Sequence, residues 1–148
     1  GSLAEAVIAA GAALEKPAVL EGGLAMLDAL LDLETRDDHL SVAGTAGRGA
    51  ADIAAQFDQQ PIEIAAIADA AARAHDITGD PRWLNAVGLA WRWFLGTNDS
   101  ATPMVDLATG AGYDGLERTG RNDNRGAEST LAALSTWQHA HRLGVLEQ

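Results

Sequence analysis

A chain of 148 residues with 47% hydrophobic content is long enough for one globular domain with its own core. The formal charge of −11 leaves no basic face for nucleic acid or an anionic membrane, and the absence of cysteine removes disulfides, thiolate metal sites and a thiol nucleophile. Ala and Leu dominate the apolar fraction while Val, Ile and aromatic residues are sparse, which favours helix over sheet.

From Leu3 to Leu14 apolar residues cover almost every face, a first helix that Glu15-Lys16-Pro17 interrupts. Pro17 suits the first turn of a second helix, whose Leu20, Leu24, Leu27 and Leu31 recur at helical spacing before Thr35-Arg36-Asp37-Asp38. These two predict a tight helical hairpin. Between Arg36 and Gln60 periodicity is lost and Gly44, Gly47 and Gly49 act as breakers, so a long functional or mobile connection is expected. At Gln60-Pro61 helix signals return, with Glu63 placed to complete a weak capping box. The third helix, to about Ile77, is small and apolar nearly all round, the pattern of a helix enclosed by others. Asp80-Pro81 then starts a fourth helix, which carries Trp83, Leu84, Val87, Trp91, Phe94 and Leu95 on one face and ends at Gly96-Thr97-Asn98. Those aromatic positions read as core, and Trp93 falls off the face and is expected to be exposed.

After a second long loop, Gly126 to Leu143 reads as a fifth helix. Asn124 is a suitable N-cap for it, and Glu128 falls in the first turn, where exposed N–H groups and the macrodipole favour a carboxylate. A functional reading stands beside that structural one, because the preceding loop brings Asp106, Tyr113, Asp114, Glu117, Asn122 and Asn124 towards the same helix end. So many polar groups at one helix mouth suggest a ligand. Asp106 and Asp114 also flank Thr109-Gly110-Ala111-Gly112, a turn between two short extended segments that would explain both as ordinary hairpin residues.

Residues 3–33 align with residues 67–97 at a constant offset, Pro17 on Pro81, Leu20 on Leu84 and Leu27 on Trp91, and the same step carries Ile67 onto Leu131. The repeating unit is an inner Ala-rich helix, a tight turn, an outer bulkier helix and a long loop. The expected fold is therefore all-α, a partial (α/α) toroid of about two and a half helical hairpins. All long loops would lie at one end, where function is expected. The initial Gly1-Ser2, without a starting Met or a signal-like apolar stretch, reads as an expression scar on a single domain excised from a larger protein. No apolar run is long enough to span a bilayer, and a cysteine-free chain is compatible with the expected cytoplasmic location.

The ordered set Phe57-Asp58-Gln59-Gln60-Pro61, Thr78-Gly79-Asp80 with Trp83-Leu84, Trp93-Phe94-Leu95-Gly96-Thr97-Asn98-Asp99, Tyr113-Asp114-Gly115-Leu116 and Gly126-Ala127-Glu128-Ser129-Thr130 resembles the all-helical domain that follows the catalytic module of some bacterial glycosyltransferase-like proteins. That domain is similar to the toroids of six-hairpin glycosidases. Arg125 departs from the pattern, where Gln is expected, and only about half a ring is present. The resemblance implies a central sugar cleft at the loop ends of the inner helices, where paired carboxylates could act as acid and base or nucleophile. Asp114 and Glu128, then Asp106, are the candidates for catalysis, and Asp58, Gln59, Gln60, Glu63, Tyr113, Asn122 and Asn124 for binding. Capping and first-turn electrostatics explain Asp58 and Glu63 equally well.

Neither a cofactor nor a metal is expected: the four His residues have no ligand spacing, Asn122-Asp123-Asn124 lacks the remaining positions of a calcium loop, and no phosphate-binding glycine motif occurs. Two functions remain open, a carbohydrate-processing or carbohydrate-binding domain and a helical scaffold that docks a catalytic glycosyltransferase module. The unpaired fifth helix, with Leu131, Leu134, Trp137 and Leu143, is expected to seek an outer partner, so that the isolated chain forms a homodimer. The alternative is a compact monomer.

Overall fold

The computed structural model describes residues 1–49 and 52–146. Helix α1 (Ser2–Ala13) and helix α2 (Pro17–Glu34) form the first hairpin. Glu15 turns the chain with a positive φ of 51°, and Lys16 N–H donates to the Gly11 carbonyl at 2.8 Å. The helices cross closely because two glycines face the contact: a Cβ on Gly11 would lie 2.4 Å from the Leu20 nitrogen, and one on Gly23 would lie 2.7 Å from the Ile8 nitrogen.

The first long connection carries β1 (Thr35–Arg36) and β2 (His39–Leu40) and passes through residues 50 and 51, which lie outside the described residues. Helix α3 (Pro61–Thr78) follows, stopped by Gly79, whose left-handed φ of 67° lets its N–H reach the His75 carbonyl at 2.8 Å. Helix α4 (Arg82–Phe94) returns beside it. The second connection holds β3 (Val105–Asp106), β4 (Ala111–Gly112), β5 (Gly115–Glu117) and β6 (Gly120–Asn122), and helix α5 (Ala127–Arg142) completes the chain.

Helix α3 is the centre. It packs against α1, α4 and α5, and Ile64, Ile67 and a run of alanines are buried on it, so its small side chains let three neighbours approach. The bulk comes from the outer helix, whose Trp83, Trp93 and Phe94 are fully buried; each contributes roughly 1.5–3 kcal/mol by leaving water. Trp93 was expected in solvent. It is enclosed because the first connection folds back over α4, placing Gln59 against the indole nitrogen.

The all-α expectation, with its partial toroid, is overturned. Among the described residues five helices are joined by three two-stranded antiparallel sheets, β1 with β2, β3 with β4 and β5 with β6, so the fold is mixed. Each sheet is a local hairpin, and strands of two or three residues carry no readable alternation. Gln59 N–H donates to the Leu116 carbonyl at 3.0 Å and Leu116 N–H returns the bond at 2.9 Å, knitting the two connections together. On α5, Leu131, Leu134 and Trp137 are partly exposed, while Leu143 packs on the core.

Candidate functional site

Of the polar groups expected around the start of α5, Asp106, Tyr113, Asp114, Asn122 and Asn124 are tied together there by hydrogen bonds and an ion pair, whereas Glu117 lies exposed on β5. Asp114 Oδ1 accepts from Gly126 N–H at 2.7 Å and from Ser129 Oγ at 2.6 Å, and its other oxygen accepts from Asn124 Nδ2. The Ser129 hydroxyl, then the Asn124 amide and the Gly126 N–H, hold its carboxyl below the ordinary carboxylate value. Asn124 does not cap the helix; Gly126 takes the cap position, and Asn122 Oδ1 accepts from Asn124 N–H at 2.9 Å in a local turn. Glu128 is exposed.

Tyr113 is buried between two guanidinium groups, with Arg121 Cζ 3.5 Å and Arg125 Cζ 4.9 Å from its ring centroid. Arg125 also donates to the Tyr113 hydroxyl at 2.9 Å and pairs with Asp106 at 3.2 Å. Bonds from the Thr109 side chain and the Ala108 N–H hold Asp106 below its ordinary value. Asp106, Tyr113 and Arg125 thus lock the β3–β4 hairpin to the loop before α5.

A second cluster joins the two connections. Gln59 is fully buried: its Oε1 accepts from Trp93 Nε1 at 3.2 Å, and its Nε2 donates to Asp99 Oδ2 at 2.6 Å and to the Gln56 carbonyl at 2.9 Å. His39 Nε2 lies 3.0 Å from the other oxygen of Asp99. Burial pushes the Asp99 carboxyl up, but hydrogen bonds from neighbours including His39 and Gln59 outweigh it and leave the group below its ordinary value. Asp58 packs over Gly115, where a Cβ would fall 1.9 Å from Asp58 Oδ1, and that buried oxygen has no hydrogen-bond partner.

The remaining two candidates, Gln60 and Glu63, line a different place. A cleft of about 360 Å3 opens between the C-terminal end of α2, residues 42–47 and the first turn of α3, and its lining includes Glu34, Thr45, Gln60 and Glu63. Glu34 is 6% exposed and its Oε2 has no hydrogen-bond partner. Burial, with the nearby Glu63 charge adding to it, raises its carboxyl above the ordinary value against the opposing Arg48 charge. The five carboxylates proposed from sequence therefore do not share this cleft: Glu63 lines it, and Asp58, Asp106, Asp114 and Glu128 are not among its lining residues.

Glu34, Asp99 and His39 were missed by the sequence reading. Glu34 had a signal, since it continues the stripe Leu20, Leu24, Leu27, Leu31 at the same spacing. Among the described residues no group of three or more His, Asp or Glu side chains is placed to hold a metal ion, and no helix is long and apolar enough to cross a membrane. No protein-family model and no curated protein matches the chain. The resemblance to glycosyltransferase-associated domains thus has no matched relative behind it.

Proposed function

We propose that the chain is a carbohydrate-binding domain whose sugar site is the cleft lined by Glu34, Gln60 and Glu63. The observation that supports this reading is a buried carboxyl with an unpartnered oxygen, Glu34, sharing one cleft with a second carboxylate and an amide. Carboxylates accept hydrogen bonds and amides both donate and accept them, which suits the hydroxyl groups of a sugar. The volume falls within the range of small-molecule sites, roughly 300–1,000 Å3. Binding is favoured over hydrolysis because Asp114 already fills its oxygens holding the start of α5. Calorimetry against a panel of mono- and oligosaccharides tests the proposal. Heat should appear with at least one sugar and vanish in Glu63→Ala, while Asp114→Ala and Glu128→Ala keep it; no heat with any sugar sinks the idea.

A second reading, a module that docks a catalytic glycosyltransferase partner or a second copy of itself, is favoured by one observation. Trp91, Val105, Leu107, Leu134 and Trp137 line an apolar groove of about 220 Å3 beside the exposed Leu131. Light scattering after size exclusion separates the self-association arm: a mass of 15.4 kDa at all micromolar concentrations would remove the homodimer. A cytoplasmic setting belongs to the same proposal and rests on the cysteine-free sequence.

A further inference from the structure

The geometry points to a second copy of this chain as the partner that covers α5, docked head to tail so that α2 of one copy lies on α5 of the next; this rests on the docking reading above. Helices α1 and α2 pair as a hairpin, as do α3 and α4, whereas among the described residues α5 has no hairpin partner. Ala127, Leu131, Leu134, Gln138 and His141 recur along α5 at alternating steps of four and three residues and are all exposed. That period belongs to a seam between two helices. Beside the row opens the apolar groove walled by Trp91 and Leu107, with Trp137 at its edge and His141 stacked on that indole at 5.1 Å.

Helix α2 carries a row of the same period, Val19, Gly22, Met26, Ala29 and Leu33, and all five are exposed. The two rows differ in relief. Gly22, with open space around it, and Ala29 leave gaps on α2, while Leu131, Leu134 and Trp137 make ridges on α5, so the ridges of one seat in the gaps of the other. They differ in sign as well. Helix α2 holds four acids and no base, and beyond Ala18 and Ala25 the edge of its row turns to Glu21, Asp28 and Asp32. Arg82 pairs with Asp28 at 3.0 Å, so Glu21 and Asp32 set the charge of that edge. The α5 row contains no acid, and its one titratable group is the base His141. Complementary sign decides which faces meet. Docking α2 on α2 would set two acidic edges together, and α5 on α5 would set ridge against ridge and leave α2 bare. Both rows are exposed within one chain, so they meet between copies. Because the surfaces are unlike, each copy keeps one face free, and copies add until a ring closes.

Light scattering after size exclusion, run on the whole chain from micromolar to millimolar concentration, tests this. The mean mass should rise above 15.4 kDa with concentration. Met26→Glu and Leu134→Glu, at two exposed positions, should each hold the mass at 15.4 kDa with circular dichroism unchanged. Their equimolar mixture should return to two chains and stop there, since one variant keeps a sound α5 and the other a sound α2. Val19→Glu and Leu131→Glu, also exposed, form a second pair with the same expected result should either of the first two disturb the fold. Single variants that still associate like the parent, or a mixture that stays monomeric, would overturn the head-to-tail contact and leave the docking reading standing. A parent mass of 15.4 kDa at every concentration would overturn the second copy altogether and leave that reading with a catalytic partner alone.

Discussion

Replacing Gln59 by Leu tests whether the buried amide is what holds the two long connections to α4. The side chains are similar in volume, so cavity formation is minor and the cost is polar. Gln59→Leu takes from the interior the acceptor of Trp93 Nε1–H and the donors to Asp99 Oδ2 and the Gln56 carbonyl. An orphaned neutral group costs about 1–3 kcal/mol and a charged one more, while the added apolar surface returns about 1 kcal/mol, so a net loss of about 3–5 kcal/mol is expected. For a domain of this size each kcal/mol corresponds to roughly 2–4 °C, which places the drop in Tm at roughly 6–20 °C. Urea unfolding followed by tryptophan fluorescence, with thermal unfolding by circular dichroism, measures it. The double variant Gln59→Leu with Asp99→Leu should cost less than the sum of the singles, since it leaves no carboxylate behind. A single-variant loss below about 1 kcal/mol would refute the assignment, because it would mean that other partners replace the amide without cost.

Three further outcomes follow from particular contacts. Gly22 lies exposed within α2 with open space around its Cα, so Gly22→Ala should stabilise by about 0.5–1 kcal/mol, whereas Gly112→Ala would place a Cβ 2.2 Å from the Ser129 carbonyl oxygen and should destabilise; chemical denaturation of both checks the contrast. Asp114→Ala should cost about 1–2 kcal/mol by freeing the start of α5, with increased amide exchange at Gly126 and Ser129, and unchanged exchange there would refute its holding role. On acidification, Asp69, held low first by the His139 bond, and Asp76, held low first by the Arg142 bond, should lose stabilisation as pH falls through their depressed folded-state values. Glu34 has the opposite sign. Its raised folded-state value favours the fold at low pH and that contribution is lost as pH rises through it, so Glu34→Gln should gain stability at pH 7 relative to pH 4 in melts across that range.

The helices were legible because each has a local cause: Pro17 and Pro61 at first turns, Gly79 at a left-handed stop, and an alanine run that only an enclosed helix tolerates. Pro81 stands one residue outside α4 instead of in its first turn, a shift within the ordinary uncertainty of helix ends. What failed depended on distance along the chain. Trp93 reads as exposed from the face of α4 alone, and only the return of residues 57–60 over that face buries it. The β3–β4 hairpin was read around Thr109-Gly110-Ala111-Gly112, but the two other hairpins were not, since strands of two or three residues carry no alternation, and the pairing of Gln59 with Leu116 spans the whole α3–α4 hairpin.

The site was half legible, and the half that was missed is the more instructive. Polar residues near the start of α5 were found by counting them, but counting does not separate groups that await a ligand from groups that already satisfy one another. Asp114 is the second kind, with its oxygens filled by Gly126, Ser129 and Asn124. Glu34 differs, because its buried Oε2 has no hydrogen-bond partner. It sits at the C-terminal end of α2, where the macrodipole opposes an anion, and on the stripe that faces the core, where burial opposes one too. An acid in a position that two independent effects disfavour needs a proton or a cation to offset them. That conflict can be read from the positions of Leu20, Leu24, Leu27, Leu31 and Glu34 alone, and it points to the cleft where the unpartnered oxygen is found.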